Sequence, residues 1–373
     1  MKRFILLFLI IPSFVFAEGM YSPTWGFFID LPEGYELADG DGRDRFSFRG
    51  PAGMMFDLVV YSGRYNSIQE LTADANRRLS NRGESDFFQY RDKQASVIKL
   101  TFGDFDGWGL AIELGANSAG QRPMLLALAY GPLNLGDMEL FHLSALDSIA
   151  PTHVERRYPG PIMEYSYPRG EPRNVPLAAR GLSAVIYEND AEAAQDLIER
   201  EFFIYQAYLE TPFLQQAAIR YYRFIFRDSF DRVAYAVSAI TDSFGGYLAV
   251  TEQQQREFAQ RALAFVQGFQ YERDMSGSDF VNLVSAISEG RGDCDSRAML
   301  FALILSNINI RSGIMLSYHY SHAMGLADIS GAGARLDSHG IRWLVAETTA
   351  NVDIGLIDRE LSDQRHWFAV LFD

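Results

Sequence analysis

The 373-residue chain has one cysteine, Cys294. No internal disulfide can form, so the fold is held by burial rather than by covalent staples. Basic residues are also scarce: 33 Lys and Arg against 48 Asp and Glu leave a net charge of −15. No basic patch interrupts that excess, which disfavours binding to nucleic acid. Beyond the N-terminus, no apolar run is long enough to span a bilayer. Low-complexity tracts are missing as well. What the chain does have is apolar material, 48% of its residues with 14% aromatic, enough for about two domain cores at this length.

The first seventeen residues, MKRFILLFLIIPSFVFA, combine basic Lys2 and Arg3, an apolar stretch and a small-residue end at Ala17. That order predicts a secretory signal peptide over 1–17. Its removal takes the net charge to −17 and leaves no transmembrane segment. The mature chain is expected to be periplasmic or secreted. In such an oxidising compartment, a lone thiol is either a small buried hydrophobe or a group kept for chemistry.

Residues 18–152 read as strand-rich. WGFFIDLP (25–32), RFSFRGP (45–51), MMFDLVVYS (54–62), SVIKLTF (96–102), GWGLAIELG (107–115) and MLLALAYG (124–131) alternate or run apolar between turn residues. A helix over 67–81 has Ile68, Leu71, Ala75 and Leu79 on one face, with Ser67 and Glu70 placed as a capping box. Another helix is expected over 138–149. This element order resembles the α/β sandwich of the photosystem oxygen-evolving P-subunit type, which implies an antiparallel sheet covered by helices. No catalytic constellation occurs there, so a binding or scaffolding role is the expectation.

Five prolines in 155–176 predict an extended linker over 153–180. The remainder, 181–373, opens with a helical lead-in over 189–250. Asn189 or Asp190 is placed to cap the first helix, Thr211-Pro212 to start the second, and a third is expected over 228–240. A core over 251–373 follows, in which Thr251 and Gln254 form a capping box. Gly290 and Gly292 mark a turn, and Asp293 is placed to cap a helix starting at Cys294. Strands are expected over 312–320, 322–329, 342–349 and 366–373. The whole is expected to be α+β.

A helix N-terminus favours a thiolate, because its free N–H groups and dipole stabilise negative charge. A nucleophile also needs an imidazole and a group that orients it. His319 and His322 lie within range on a segment where they face opposite ways, so one of them at most faces the thiol. Glu347, in the apolar run WLVAETT, is the leading acid, with Asp328, Asp337 and Asp353 as alternatives.

The run GDCDSRAMLFALIL, then SHAMGLA, then WLVAETT resembles the transglutaminase-like cysteine peptidase superfamily, a papain-related fold. The resemblance implies Cys294 as nucleophile, His322 as general base and acid, and Glu347 as orienting acid, spaced by 28 and then 25 residues. FVQGFQY (265–271) resembles the segment preceding the family's cysteine and makes Gln267 the candidate oxyanion donor. Two positions depart from the family pattern: Glu347-Thr348-Thr349 stands where Asp-Pro-Thr is usual, and Met324 where tryptophan follows His-Ala.

These readings together imply an exported thiol enzyme that cleaves or transfers an amide acyl group. Its substrate would be a peptide or protein, cell-wall peptide among them. No cofactor and no metal are expected, since one cysteine and two nearby histidines lack zinc-site spacing. The alternative is an inactive transglutaminase-like binding or assembly module in the cell envelope.

Overall fold

The computed structural model describes residues 19–116, 120–133, 138–273 and 277–372. The expected signal peptide lies outside them. The chain is α+β, built on two antiparallel sheets with separate cores. Among the described residues, no helix is long and apolar enough to cross a membrane.

The first sheet has seven strands in the spatial order Glu36–Gly40, Arg45–Arg49, Met55–Tyr61, Met124–Pro132, Phe105–Glu113, Lys93–Phe102, Ser85–Tyr90. Helix α1 (Ile68–Leu79) packs Ile68, Leu71 and Ala75 on one face of it. Helix α2 (Met138–Asp147) covers the other, closing a core around Phe56, Leu58, Leu110 and Leu125. Ser67 accepts from the Glu70 backbone as expected, but the Glu70 carboxylate turns to Asn66 instead of closing the box. Two strands of this sheet went unread in the sequence, Glu36–Gly40 and Ser85–Tyr90. Both are sheet edges, and Glu36–Gly40 is exposed on every residue, so neither carries an apolar alternation. The expected strand over 25–32 shrinks to Phe28–Ile29, paired with Met20–Tyr21.

The proline-rich segment is more ordered than its composition predicts. Pro161 opens a short helix, α3 (Pro161–Ser166), at a position where proline's missing N–H costs nothing. Pro172–Pro176 pairs antiparallel with Ser183–Tyr187 in a two-stranded ribbon, where both strands are edges.

Helices α4 (Asp190–Gln206), α5 (Leu214–Arg232) and α6 (Ala234–Ser243) follow. Helix α5 starts later than Thr211-Pro212 predicts and runs on through Asp228. The break before α6 falls at Val233. Helices α4 and α5 dock on the sandwich through buried charge. Arg200 binds Asp147 at 2.6 Å, and Arg220 binds Glu201 at 2.7 Å and the Asp30 carbonyl at 2.9 Å. Arg227 donates to the carbonyls of Tyr158, Asp147, Ser148 and Ile149.

Helix α7 (Glu252–Gln267) begins at the Thr251–Gln254 capping box, with both halves formed. Helix α8 (Leu283–Glu289) ends at Gly290, whose φ of 72° is the left-handed conformation glycine adopts without strain. Helix α9 (Cys294–Ser306) is buried on all sides from Ser296 to Leu305, so it is a central helix rather than an amphipathic one. It lies on the second sheet, ordered Arg335–Ser338, Ile341–Ala346, His322–Ala327, Ser312–Ser317, Phe368–Leu371. Gly325 permits that approach: a Cβ there would sit 2.5 Å from Phe301. The opposite face of the sheet closes over Met315, Met324, Trp343 and Trp367. Met324 therefore faces away from α9.

Candidate active site

Cys294 is the first residue of α9. The Asp293 carboxylate accepts from the Ser296 backbone N–H at 2.7 Å and from its hydroxyl at 2.6 Å, fixing the helix start. Arg297, one turn on and buried, donates to the carbonyls of Gly292, Thr348 and Phe269. It thereby ties the helix to the turn before it and to the chain just past Glu347.

His322 opens the central strand of the second sheet, and Glu347 follows the end of its neighbour Ile341–Ala346. Pairing of these strands, with Gly325 opposite Ala346, brings the two side chains together: His322 Nε2 lies 2.9 Å from Glu347 Oε2. The other carboxylate oxygen accepts from the Thr349 N–H at 2.8 Å and its hydroxyl at 2.6 Å. Burial pushes the Glu347 carboxyl up, but the His322 bond and charge, with the Thr349 bonds, outweigh it and hold it below the usual glutamate value. The extra methylene of glutamate is thus accommodated by a threonine that grips its far oxygen. With Nε2 engaged, Nδ1 is the ring nitrogen left for other partners.

Cys294 and His322 line one cavity of about 310 Å³. Its far wall comes from α4 and α5, which contribute Phe202, Tyr205, Tyr221 and Tyr222. The Ala323 backbone N–H, beside His322, favours the ionised sulfur. His319 stacks instead on His366, ring centres 4.1 Å apart. Trp367, just before the Phe368–Leu371 strand, packs edge-on against His322 with ring centres 6.3 Å apart.

Two expectations need correction. Gln267 does not line this cavity: its amide nitrogen donates to the carbonyls of Glu347 at 2.8 Å and Val352 at 3.0 Å. Both of its hydrogens are engaged, so it anchors the backbone that carries the acid and offers nothing to an oxyanion. The thiol, moreover, is not eased toward thiolate. Burial, then the charges of Asp295 and Asp293, push it well above its ordinary value despite the helix start and the Ala323 N–H. Its S–H donates to Asp295 Oδ1 at 3.4 Å, while Asp295 Oδ2 accepts from the Tyr222 hydroxyl at 2.7 Å. Tyr222 and Asp295 are the site residues that sequence reasoning missed. Asp295 was visible as a like charge beside the cysteine, whereas Tyr222, 72 positions upstream, carried no signal. Among the described residues, no group of three or more His, Cys, Asp and Glu side chains is arranged to hold a metal ion.

No family model and no curated protein matches the chain. Among solved structures it is similar to Legionella pneumophila LapG, at 14% identity over 42% of this chain and 80% of that one, with a TM-score of 0.22. The calcium-bound form of LapG gives 14%, 42%, 80% and 0.21. A crystal structure from Bacteroides thetaiotaomicron is 9% identical over 84% of this chain and 87% of that one, with a TM-score of 0.22.

Proposed function

We propose that the protein is an exported, periplasmic or secreted, thiol enzyme of the transglutaminase-like type, acting on a peptide or protein amide. The observation that carries this reading is the 2.9 Å bond between His322 Nε2 and Glu347, beside a cavity that His322 shares with a cysteine at a helix start. Cys294 sulfur attacks the amide carbonyl as its proton passes to His322 Nδ1. Glu347 orients the ring and stabilises the imidazolium. His322 then returns the proton to the leaving amine as the C–N bond breaks, leaving a thioester on Cys294. Water releases an acid, which makes the protein a peptidase or amidase; an acceptor amine makes it an acyltransferase. With Gln267 committed elsewhere and the Ser296 N–H taken by Asp293, the N–H groups of Cys294 and Asp295, the first two positions of α9, are the donors proposed for the oxyanion. The proton leaves the thiol during attack rather than before it, because the resting thiol is held neutral.

That neutral thiol is also what favours a second reading, a binding or assembly module that keeps the fold without turnover. A peptide-like electrophile such as a vinyl sulfone separates the two. Wild-type protein in reducing buffer is expected to take up one adduct, and Cys294→Ala none. Equal labelling of both, or none of the wild type, contradicts the enzyme and leaves the module.

A further inference from the structure

The thiol's hydrogen-bond partner in the resting protein is a carboxylate rather than the imidazole. Asp295 Oδ1 receives it at 3.4 Å, and Asp295 is itself gripped at 2.7 Å by Tyr222 from α5, outside the core over 251–373. Tyr222 has little freedom to leave. It packs edge-on against Tyr221, ring centres 4.9 Å apart, and its neighbours in sequence are committed to the sandwich: Arg220 to Asp30 and Ser144, Arg223 to Asp30. One face of α5 therefore fixes the sandwich while the next residue round fixes the carboxylate beside the sulfur.

We propose that Asp295, clamped by Tyr222, is a positioning residue that orients the Cys294 thiol and retains its proton until bound substrate draws the sulfur onto His322. In that step the S–H bond breaks, the proton goes to His322 Nδ1, and the electron pair stays on sulfur for the bond to the carbonyl carbon. The inference rests on Cys294 being the nucleophile. It gives the lead-in helices a part in the chemistry: they set how readily the thiol ionises.

The other groups around the sulfur do not duplicate this latch. On α9, Asp293 is committed to Ser296. Tyr271 and an Arg273–Asp279 pair flank the cavity, α5 also contributes Tyr221, α4 contributes Tyr205, Tyr318 follows the Ser312–Ser317 strand, and Arg297 of α9 is held by the Gly292 and Phe269 carbonyls. His322 comes from the sheet with Nε2 on Glu347. Of these, Asp295 alone accepts from the thiol among the described residues.

The test is the pH profile of iodoacetamide alkylation at Cys294, followed by intact mass with Cys294→Ala as blank and near-UV circular dichroism as the check on folding. Burial raises the Asp295 carboxyl above its ordinary value, against the Tyr222 and Cys294 bonds; Asp295→Asn keeps an acceptor that can no longer ionise, and is expected to shift the profile to lower pH and to raise the rate at pH 7 by roughly tenfold. Tyr222→Phe is expected to shift it the same way by less. The double variant should match Asp295→Asn, because the tyrosine acts through the carboxylate. A profile for folded Asp295→Asn that overlays wild type, or additive shifts in the double variant, overturns the proposal. If Asp295→Asn fails to fold, Tyr222→Phe carries the test alone, an unshifted profile counting against it. His322→Ala separates this inference from the function reading: a vinyl sulfone rate unchanged in that variant removes the enzyme, whatever Asp295 does.

Discussion

At Cys294, two effects of opposite sign meet. A helix N-terminus is worth about 0.3–1 kcal/mol to a nearby negative charge. Taking that charge out of water costs several kcal/mol, and two neighbouring carboxylates add to the cost. Burial wins, so the thiol rests neutral. The same burial acts on Asp293, whose carboxyl is pushed up to about 8 by desolvation and by Asp295, against the two Ser296 bonds. An acid raised in the fold binds protons there that it loses on unfolding. Its contribution is complete below its ordinary value of 3.8 and is lost as pH rises to about 8. Asp293→Asn keeps the capping oxygen without the charge. Its melting temperature should track wild type at pH 4 and exceed it increasingly toward pH 8, as read by thermal denaturation across that range. A constant difference would mean that Asp293 is already ionised in the fold.

Among the elements, the strand that leads into Glu347 depends on a residue from α7. Gln267 holds the Glu347 and Val352 carbonyls, so Gln267→Ala strands both acceptors at a cost of about 1–3 kcal/mol. The melting midpoint is expected to fall, and reactivity toward the vinyl sulfone with it, because the carboxylate loses its backbone anchor. A fall in melting point with unchanged reactivity would show that the Thr349 bonds alone position the acid. Much at this scale was legible in the sequence. The Asp293 cap, the Gly290 stop and the His322 and Glu347 strands each follow from local residue chemistry. The role of Gln267 was not, since a glutamine on a helix face reads alike whether it reaches a cavity or a neighbouring loop. The edge strands 36–40 and 85–90 stayed hidden because an exposed edge carries no buried face to pattern. The all-round burial of α9 is also hidden in the sequence: the spacing of Cys294, Ala298 and Phe301 puts them on one helix face, and only the packing shows that the rest is covered too.

Over the whole molecule, the sandwich and the helices that wall the cavity are joined by buried ions. Arg200, Asp147, Glu201 and Arg220 form one connected set, with Ser144 donating to Glu201 at 2.9 Å. Removing one member leaves an unpaired buried charge, which costs about 3–5 kcal/mol. Glu33 lies beside this set, and burial pushes its carboxyl up to about 7, with Asp30 adding to the rise and Arg220 and Arg223 opposing it. By the same linkage its contribution is complete below its ordinary 4.5 and is lost as pH rises through 7. Glu33→Gln should therefore gain stability over wild type between pH 5 and pH 8, measured by urea unfolding at each pH. A gap that does not widen with pH would contradict a protonated Glu33. None of this coupling was legible from composition, because, the adjacent Arg200 and Glu201 apart, the partners lie 19 to 76 residues apart in the chain.

The central claim is that Cys294 reacts because His322, oriented by Glu347, takes its proton. The rate of vinyl sulfone addition at pH 7, measured by intact mass for wild type, His322→Ala and Glu347→Gln, tests it directly. Loss of the base is expected to slow addition by roughly 10²–10⁴-fold. Glu347→Gln should be slowed as well, since a neutral amide no longer stabilises the imidazolium. Equal rates in all three proteins would contradict the account and leave Cys294 an ordinary half-buried thiol.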